Sequence, residues 1–536
     1  MLRSLSRLGV VALLIAWSFD LLFWNKPWGV SFAIFVTLVT LGGLGLGFLE
    51  KRPPAKASLL LLLPLGFFSL MSFWRMEPFT TLVNVLLSLL CLAILAVTYR
   101  RGDWLSYSWL DYAWRMLKLA LGALSKPIQA WKMRAATAEP TPGTEQATAG
   151  ARPTSASRRK KAAPWLRGVV LALPVLLVFS LLLASADPVF GQGFEDLLSF
   201  LKIENLPENL FRLVYILIIG YLLAGVYLHA LNGSSEEKLL GAAKPLLPRF
   251  LGFIEAAVVL GSVNLLFAAF VGVQFRYFFG GQGNIHLDGY TYAEYARRGF
   301  AELLLVAFFT LLLFLALSTV VKRNTTPQRW IFSILGALLT VLVSVILVSA
   351  YQRLLLYEAA YGFTRLRTYT HLFMLWLGVL LAVLMVLELS NRLQRFPLAS
   401  LLVLVGFGIS LNLLPVDGFI VRQNVQRASQ GAALDSAYLV TLSPDSAGEL
   451  WQAYYDPDTT TAVGDQLGAV LACQAAINLS EDLPWQSFNL SRQRARSLAQ
   501  TSMTELAPYN AHQDAVTGQW VVTIGPTEQP CLANDW

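Results

Sequence analysis

The chain has 536 residues, of which 56% are hydrophobic and 14% charged, with a formal net charge of +8. Soluble domains carry about 25% charged residues, so a soluble globular fold is excluded, and apolar runs without period-two alternation exclude a membrane β-barrel. What remains is an all-α polytopic transmembrane helix bundle, because about 20 apolar helical residues cross a hydrocarbon core of about 30 Å.

Apolar runs near residues 8–25, 30–49, 57–74, 80–98, 167–187, 211–230, 251–273, 300–321, 331–350, 371–388 and 398–416 predict about eleven spans. Arg3 and Arg7 precede the first run as they would a signal peptide. The continuation "AWSFDLLFWNKPWGV" lacks a small-x-small cleavage pattern, so this run reads as a retained span. Residues 1–98 thus form a four-span region. In 99–134, Trp104, Trp109, Tyr112 and Trp114 alternate with Arg115, Lys118 and Lys126, which suits an amphipathic helix in the membrane interface or packed on the bundle. Residues 135–166, rich in Ala, Thr, Pro, Ser and Gly, read as a disordered basic linker, and 167–416 as a seven-span region. Residues 417–536 read as a small external helical domain, with a helix near "PDSAGEL" and further helical stretches near 462–478 and 491–507.

Lysine and arginine set the expected orientation. With the N-terminus inside, the basic linker, Lys51, Arg52 and Lys56, Lys322, Arg323 and Arg329, and Arg392 and Arg395 all fall on the cytoplasmic side. The odd number of spans then places the tail outside. That tail has 5 Arg, no Lys and 13 Asp or Glu, so the overall positive charge belongs to the cytoplasmic surface. Membrane lipids are therefore the expected partners, envelope proteins could meet the external domain, and nucleic acid is not expected. Cys473 and Cys531 fall in the tail, where a disulfide and two unpaired buried thiols are both open. The four histidines are scattered and no metal or cofactor motif is present; "GGQG" lacks the Gly-Lys-Ser/Thr ending of a phosphate loop.

The strings "SFDLLFW" (18–24), "ADPVF" (186–190), "QFRYFFGG" with "TYAEYARRGFAELL" (from Gln274 to Leu304), "LLLYEAAYGFTRLR" (354–367) and "ALDSAYLVTLSPDSAGEL" (433–450) occur together and in order. The chain resembles, through them, a family of bacterial multi-pass membrane proteins, domain of unknown function 4173. That resemblance implies a bacterial cytoplasmic membrane protein and supplies no catalytic or binding residue.

The polar residues between spans form the candidate site. Arg276, Asp288, Glu294, Arg297 and Arg298 lie in one expected external segment, and Arg353, Glu358, Arg365 and Arg367 in another. Charges near hydrocarbon are costly unless paired or hydrated, so these residues read either as salt bridges tying loops together or as a seam facing an anionic ligand. Glu294 has Arg297 and Arg298 at helical spacing, whereas Glu358 has no basic neighbour three or four residues away and needs a partner across the fold; Arg276, Arg297 and Arg298 are the candidates. Asn84 and Asn264 suit hydrogen bonds between helices. No catalytic pattern is present. The function classes left are a non-enzymatic envelope, sensory or scaffold protein, a transporter of a small or lipidic solute, and a membrane enzyme acting at the external face.

Overall fold

A computed structural model describes residues 2–136, 172, 179, 183, 187, 206–233, 249–277, 300–480, 482–515, 519–524 and 527–531. The protein is an all-α polytopic membrane bundle with a mostly helical tail. Ten helices among the described residues are long and apolar enough to cross a membrane. They coincide with ten of the eleven expected spans. The remaining one, 167–187, lies outside the described residues except at 172, 179, 183 and 187, as does nearly all of the linker at 135–166.

The bundle has two halves. The first contains α1 (Leu2–Phe23), α2 (Val30–Leu49), α3 (Leu62–Trp74), α4 (Pro78–Thr98), α5 (Trp109–Ala136) and α6 (Leu206–Leu228); α1 packs on α2 and α6, and α5 on α6. The linker therefore does not mark the spatial boundary, because α6 follows it in sequence yet joins the first half. Gly225 explains the close crossing of α5 and α6: a Cβ there would run into the Ala123 carbonyl oxygen. Asp20 of α1 receives Arg212 of α6 through both carboxylate oxygens, at 2.9 and 2.6 Å.

The second half contains α7 (Phe253–Tyr277), α8 (Phe300–Val320), α9 (Thr326–Tyr361), α10 (Arg365–Leu389) and α11 (Phe396–Leu413), with α9 packed on α7, α8 and α10. Its core includes Leu260, Ala307, Phe332, Val343, Leu354 and Leu384, all buried. Asn264 donates to the Leu335 carbonyl at 3.0 Å, tying α7 to α9. The halves meet where α4 contacts α11. There the buried side chains of Asn84 and Asn412 exchange amide hydrogen bonds at 3.0 and 2.7 Å, one of the uses polar residues have between membrane helices.

The tail comprises α12 (Val416–Ser429), α13 (Ala447–Tyr454), α14 (Thr461–Ser480), α15 (Leu490–Thr501) and an antiparallel sheet in the order β1 (Ala511–Gln513), β2 (Trp520–Ile524), β3 (Thr527–Pro530). A disulfide joins Cys473 of α14 to Cys531 after β3, with Cα atoms 5.5 Å apart. The helical reading of residues 417–536 omits this sheet, since strands of 3–5 residues are too short to display a period. The tail rests on the turns α1–α2, α3–α4 and α9–α10, which define one face of the bundle, the tail face. On the opposite face Arg52 donates to the Leu231 carbonyl at 3.0 Å, and Arg323 pairs with Glu388 at 2.9 Å.

Candidate functional site

One buried polar centre of the second half stands on three helices. Glu358, in the last turn of α9, is completely buried, and its Oε2 lies 2.6 Å from Nε2 of His371 on α10. Tyr351 packs edge-on against the same imidazole, with ring centroids 4.7 Å apart. One and a half turns below Glu358, Arg353 donates to Oε1 of Gln274 on α7 at 3.2 Å, and the Ser349 hydroxyl donates to the same oxygen at 3.0 Å. Glu358 Oε1 and His371 Nδ1 are buried and make no hydrogen bond among the described residues.

Where this centre sits relative to the hydrocarbon decides what it can do. The 36-residue α9 starts at the opposite face, where a Thr325–Gln328 capping box fixes its first turn and exposed Trp330, four residues into the helix, suits the aromatic belt of a membrane interface. From Trp330 to Glu358 the helix rises about 42 Å, at about 1.5 Å per residue. Even a tilt of about 40° leaves about 32 Å along the membrane normal, more than a core of about 30 Å. Glu358 and His371 therefore lie at the tail-face boundary, inside protein, and not at the midplane.

Above them the chain turns sharply. Gly362 has φ +82°, a left-handed conformation natural to glycine, and a Cβ there would meet Arg427 Nη1 and Asn424 Oδ1, each at 2.8 Å. These two residues of α12 close the turn: Asn424 accepts from Phe363 N at 2.8 Å and donates to its carbonyl at 2.9 Å. Arg427 donates to the Ala359 and Ala360 carbonyls at 3.0 and 3.2 Å, placing a cation at the negative end of α9. Arg367 donates to the Gly362 carbonyl and lies over the Tyr357 ring.

Beside this turn, Arg365 grips Asp417 with two parallel hydrogen bonds at 2.8 and 2.7 Å, and Asp417, fully buried, also accepts from Ser443 N at 2.7 Å. The α3–α4 turn is held as firmly. Asp445 accepts from the backbone N–H groups of Met76 and Glu77 at 3.0 and 2.9 Å and from the Ser491 hydroxyl. Burial pushes its carboxyl up against the pull of those donors and of Arg75. Asn489 donates to the Arg75 carbonyl at 3.0 Å. Glu77 caps α4 through Phe79 N and Thr80 N and accepts from Tyr369 of α10. At the α1–α2 turn, Ser487 donates to the Pro27 carbonyl and Val30 N to the Phe488 carbonyl, both at 2.8 Å. Three separate turns of the bundle are thus bound by one domain.

Of the residues that stand out in the sequence, Arg353, Glu358, Arg365 and Arg367 occupy one end of α9 and α10, each with partners of its own. Arg276 stands in the last turn of α7, while Asp288, Glu294, Arg297 and Arg298 lie outside the described residues. Among the described residues the partner of Glu358 is His371, which scattered histidines in the sequence do not announce. Asp417, Gln274 and Asn424 carry no such signal and Asp445 reads only as a candidate helix cap: each acts through a partner far away in sequence, and no local spacing announces that. No group of three or more His, Cys, Asp or Glu fit to hold a metal ion occurs among the described residues.

A family model described as "Domain of unknown function (DUF4153)" matches residues 62–453, well over half of the chain. The match takes in α3 to α13, and leaves out α1, α2 and the disulfide-bridged end of the tail. The strings quoted above suggested domain 4173; the model that matches is that of DUF4153. Neither a curated protein nor a solved structure is significantly similar to the chain.

Proposed function

The chain belongs to the DUF4153 family, whose description assigns no activity, and we propose that it is a non-enzymatic envelope protein whose membrane bundle holds the acidic tail in one fixed pose as a platform for an envelope partner. The observation that carries this reading is the seam itself. Buried Asp417 and half-buried Asp445, with Asn489 and Ser487, bind one domain to three turns, the first and last of which lie more than 300 residues apart in sequence. A tether needs one attachment, whereas a platform needs a fixed orientation.

The alternative of a transporter asks for polar groups at the midplane, where substrate and coupling-ion sites of secondary transporters lie. The boundary position of Glu358 and His371 does not supply that. In this reading the protein resides in a bacterial cytoplasmic membrane with the N-terminus inside and the tail outside, the arrangement favoured by the lysine and arginine distribution. Reporter fusions after Arg134 and Ser446 are expected to read inside and outside respectively.

The platform itself is tested in cells with a photo-crosslinking amino acid at Trp485 or Met503, both exposed on the tail. We expect crosslinks to a distinct envelope protein that weaken when Arg365→Gln and Asp445→Ala together loosen the seam. Proton or solute flux through purified protein in liposomes, abolished by Glu358→Gln, would overturn the reading in favour of transport.

A further inference from the structure

The opposite face carries a cleft of about 630 Å³ where the end of α8, the start of α9, the α10–α11 turn and the start of α5 converge. Its polar side is formed by Arg249, Arg323 and Arg329, and its apolar side by Trp109, Leu110 and Phe396. The backbone fixes this cluster. Leu251 N donates to the Val320 carbonyl at 3.2 Å and Lys322 N to the Leu251 carbonyl at 2.9 Å, so the segment bearing Arg249 is pinned beside the one bearing Arg323.

The charges do not cancel. Among the described residues Glu388 is the one carboxylate lining the cleft, and it is engaged by Arg323 at 2.9 Å and by the Ser333 hydroxyl at 2.9 Å. Arg323 is further held by the Ser318 carbonyl at 2.9 Å and lies over the Phe332 ring at 4.3 Å. Arg329 is oriented by a hydrogen bond from its Nε to the Arg323 carbonyl at 3.3 Å. Arg249 and Arg329 are exposed and form no ion pair among the described residues. Two guanidinium groups therefore face the cleft with no carboxylate of the described residues paired to them.

The surroundings say what kind of anion fits. The cleft includes Leu315 and Thr319 in the last turns of α8, a membrane-crossing helix, so it opens at the hydrocarbon boundary. On the same side of α8, at helical spacing from Leu315, Phe308 and Leu312 are exposed and continue the apolar wall toward the membrane interior. We propose that this cleft binds the phosphate headgroup of an anionic membrane phospholipid, with Arg249 and Arg329 as its donors and the acyl chain lying along Phe308 and Leu312. Basic pockets between membrane helices recognise lipid phosphates in this way, and guanidinium geometry matches a phosphate. The inference is independent of the platform reading.

The test uses the full chain in detergent and native mass spectrometry with added phosphatidylglycerol or phosphatidylcholine. The wild type is expected to retain phosphatidylglycerol preferentially, and the Arg249→Gln/Arg329→Gln variant to retain it about tenfold to thirtyfold less. Both arginines are exposed, and the fold is checked by an unchanged unfolding midpoint. The charge-matched Lys56→Gln/Arg100→Gln variant, which removes two exposed cations of the same face outside the cleft, is expected to bind like the wild type. Equal retention by the Arg249/Arg329 variant, or equal loss in the charge-matched control, overturns the site. Equal retention of phosphatidylcholine overturns the anionic preference. Displacement of the lipid by inorganic phosphate, but not by chloride at the same ionic strength, would assign the cleft to a free anion instead.

Discussion

The two faces of the bundle use the same residue type in opposite ways. On the tail face Arg365 and Arg427 are locked onto carboxylate and carbonyl oxygens, and the carboxylate that Arg365 serves, Asp417, is fully buried. On the opposite face Arg249 and Arg329 stand exposed beside a carboxylate already engaged by Arg323. Breaking a buried ion pair strands a charge in a low dielectric, whereas removing an exposed cation leaves water to take its place. The tail face is therefore where substitutions act on folding, and the opposite face where they act on what the surface attracts.

The contrast breaks most visibly at Arg365. Arg365→Gln leaves the fully buried Asp417 without its bidentate partner and is expected to destabilise the detergent-solubilised protein by about 3–5 kcal/mol. Adding Asp417→Asn removes the stranded charge, so the double variant should lose less than the sum of the singles in denaturant or thermal unfolding. Strict additivity would mean that the two residues do not act as a pair.

Next in size is the covalent tie within the tail. Cys473→Ser opens a loop of 58 residues and is expected to cost about 2–4 kcal/mol. The loss should be confined to the tail, seen as earlier proteolysis beyond α13 while the bundle still inserts. Thiol labelling of Cys473 and Cys531 is expected only after reduction; full labelling without reductant would remove the bridge.

The spans were legible because each is a local property: twenty apolar residues declare a membrane helix wherever they occur. The seam was not, for a physical reason that particular residues make plain. Asp445 lies in "SPDS", which locally reads as the start of a helix, and Ser443 does accept from Asp445 N. Its carboxylate, however, goes to backbone N–H groups at Met76 and Glu77, more than 360 residues away, and a backbone donor leaves no mark in sequence. Glu358 lacks a cationic neighbour at helical spacing, which points away from its own helix turn for a partner. Arginine is the partner that charge makes easy to see, and Arg297 and Arg298 lie outside the described residues; among those described, a histidine on the next helix, 13 residues on, meets Glu358. The short sheet escaped because three strands of this length show no period.

Within the tail face, the Glu358–His371 contact should rank below the Arg365–Asp417 pair, since an amide can keep part of its hydrogen bond. Glu358→Gln is expected to destabilise by about 1–3 kcal/mol, and Glu358→Gln with His371→Gln by less than the sum of the two singles. No loss for Glu358→Gln would show that the buried pair contributes nothing to the fold.

Asp445 sharpens the comparison through pH. Its folded carboxyl is raised above the ordinary value by burial, so the folded state holds the proton more readily than the unfolded chain. The sign follows: stability is highest below the ordinary aspartate value and declines as pH rises through the raised one. Asn at this position can accept from Met76 N and Glu77 N through its oxygen and donate to Ser491 through its amide. Asp445→Asn is thus expected to match the wild type near about pH 4, to exceed it slightly near neutrality, and to flatten the pH profile between. A variant profile parallel to the wild type would mean that another group carries the dependence.

The smallest effect isolates burial from geometry. Arg422 and Glu449, also in the tail, make a forked contact at 2.5 and 3.3 Å, comparable in reach to that of Arg365 with Asp417. The Arg422 side chain is 60% exposed, against 15% for Arg365, and Glu449 is 23% exposed where Asp417 is fully buried. Water screens the first pair and solvates either partner left alone. Arg422→Gln is therefore expected to change the unfolding free energy by about 0–1 kcal/mol, and less as salt is raised. If Arg422→Gln instead costs as much as Arg365→Gln, then hydrogen-bond geometry and not desolvation governs the seam, and the division between the two faces argued from burial fails with it.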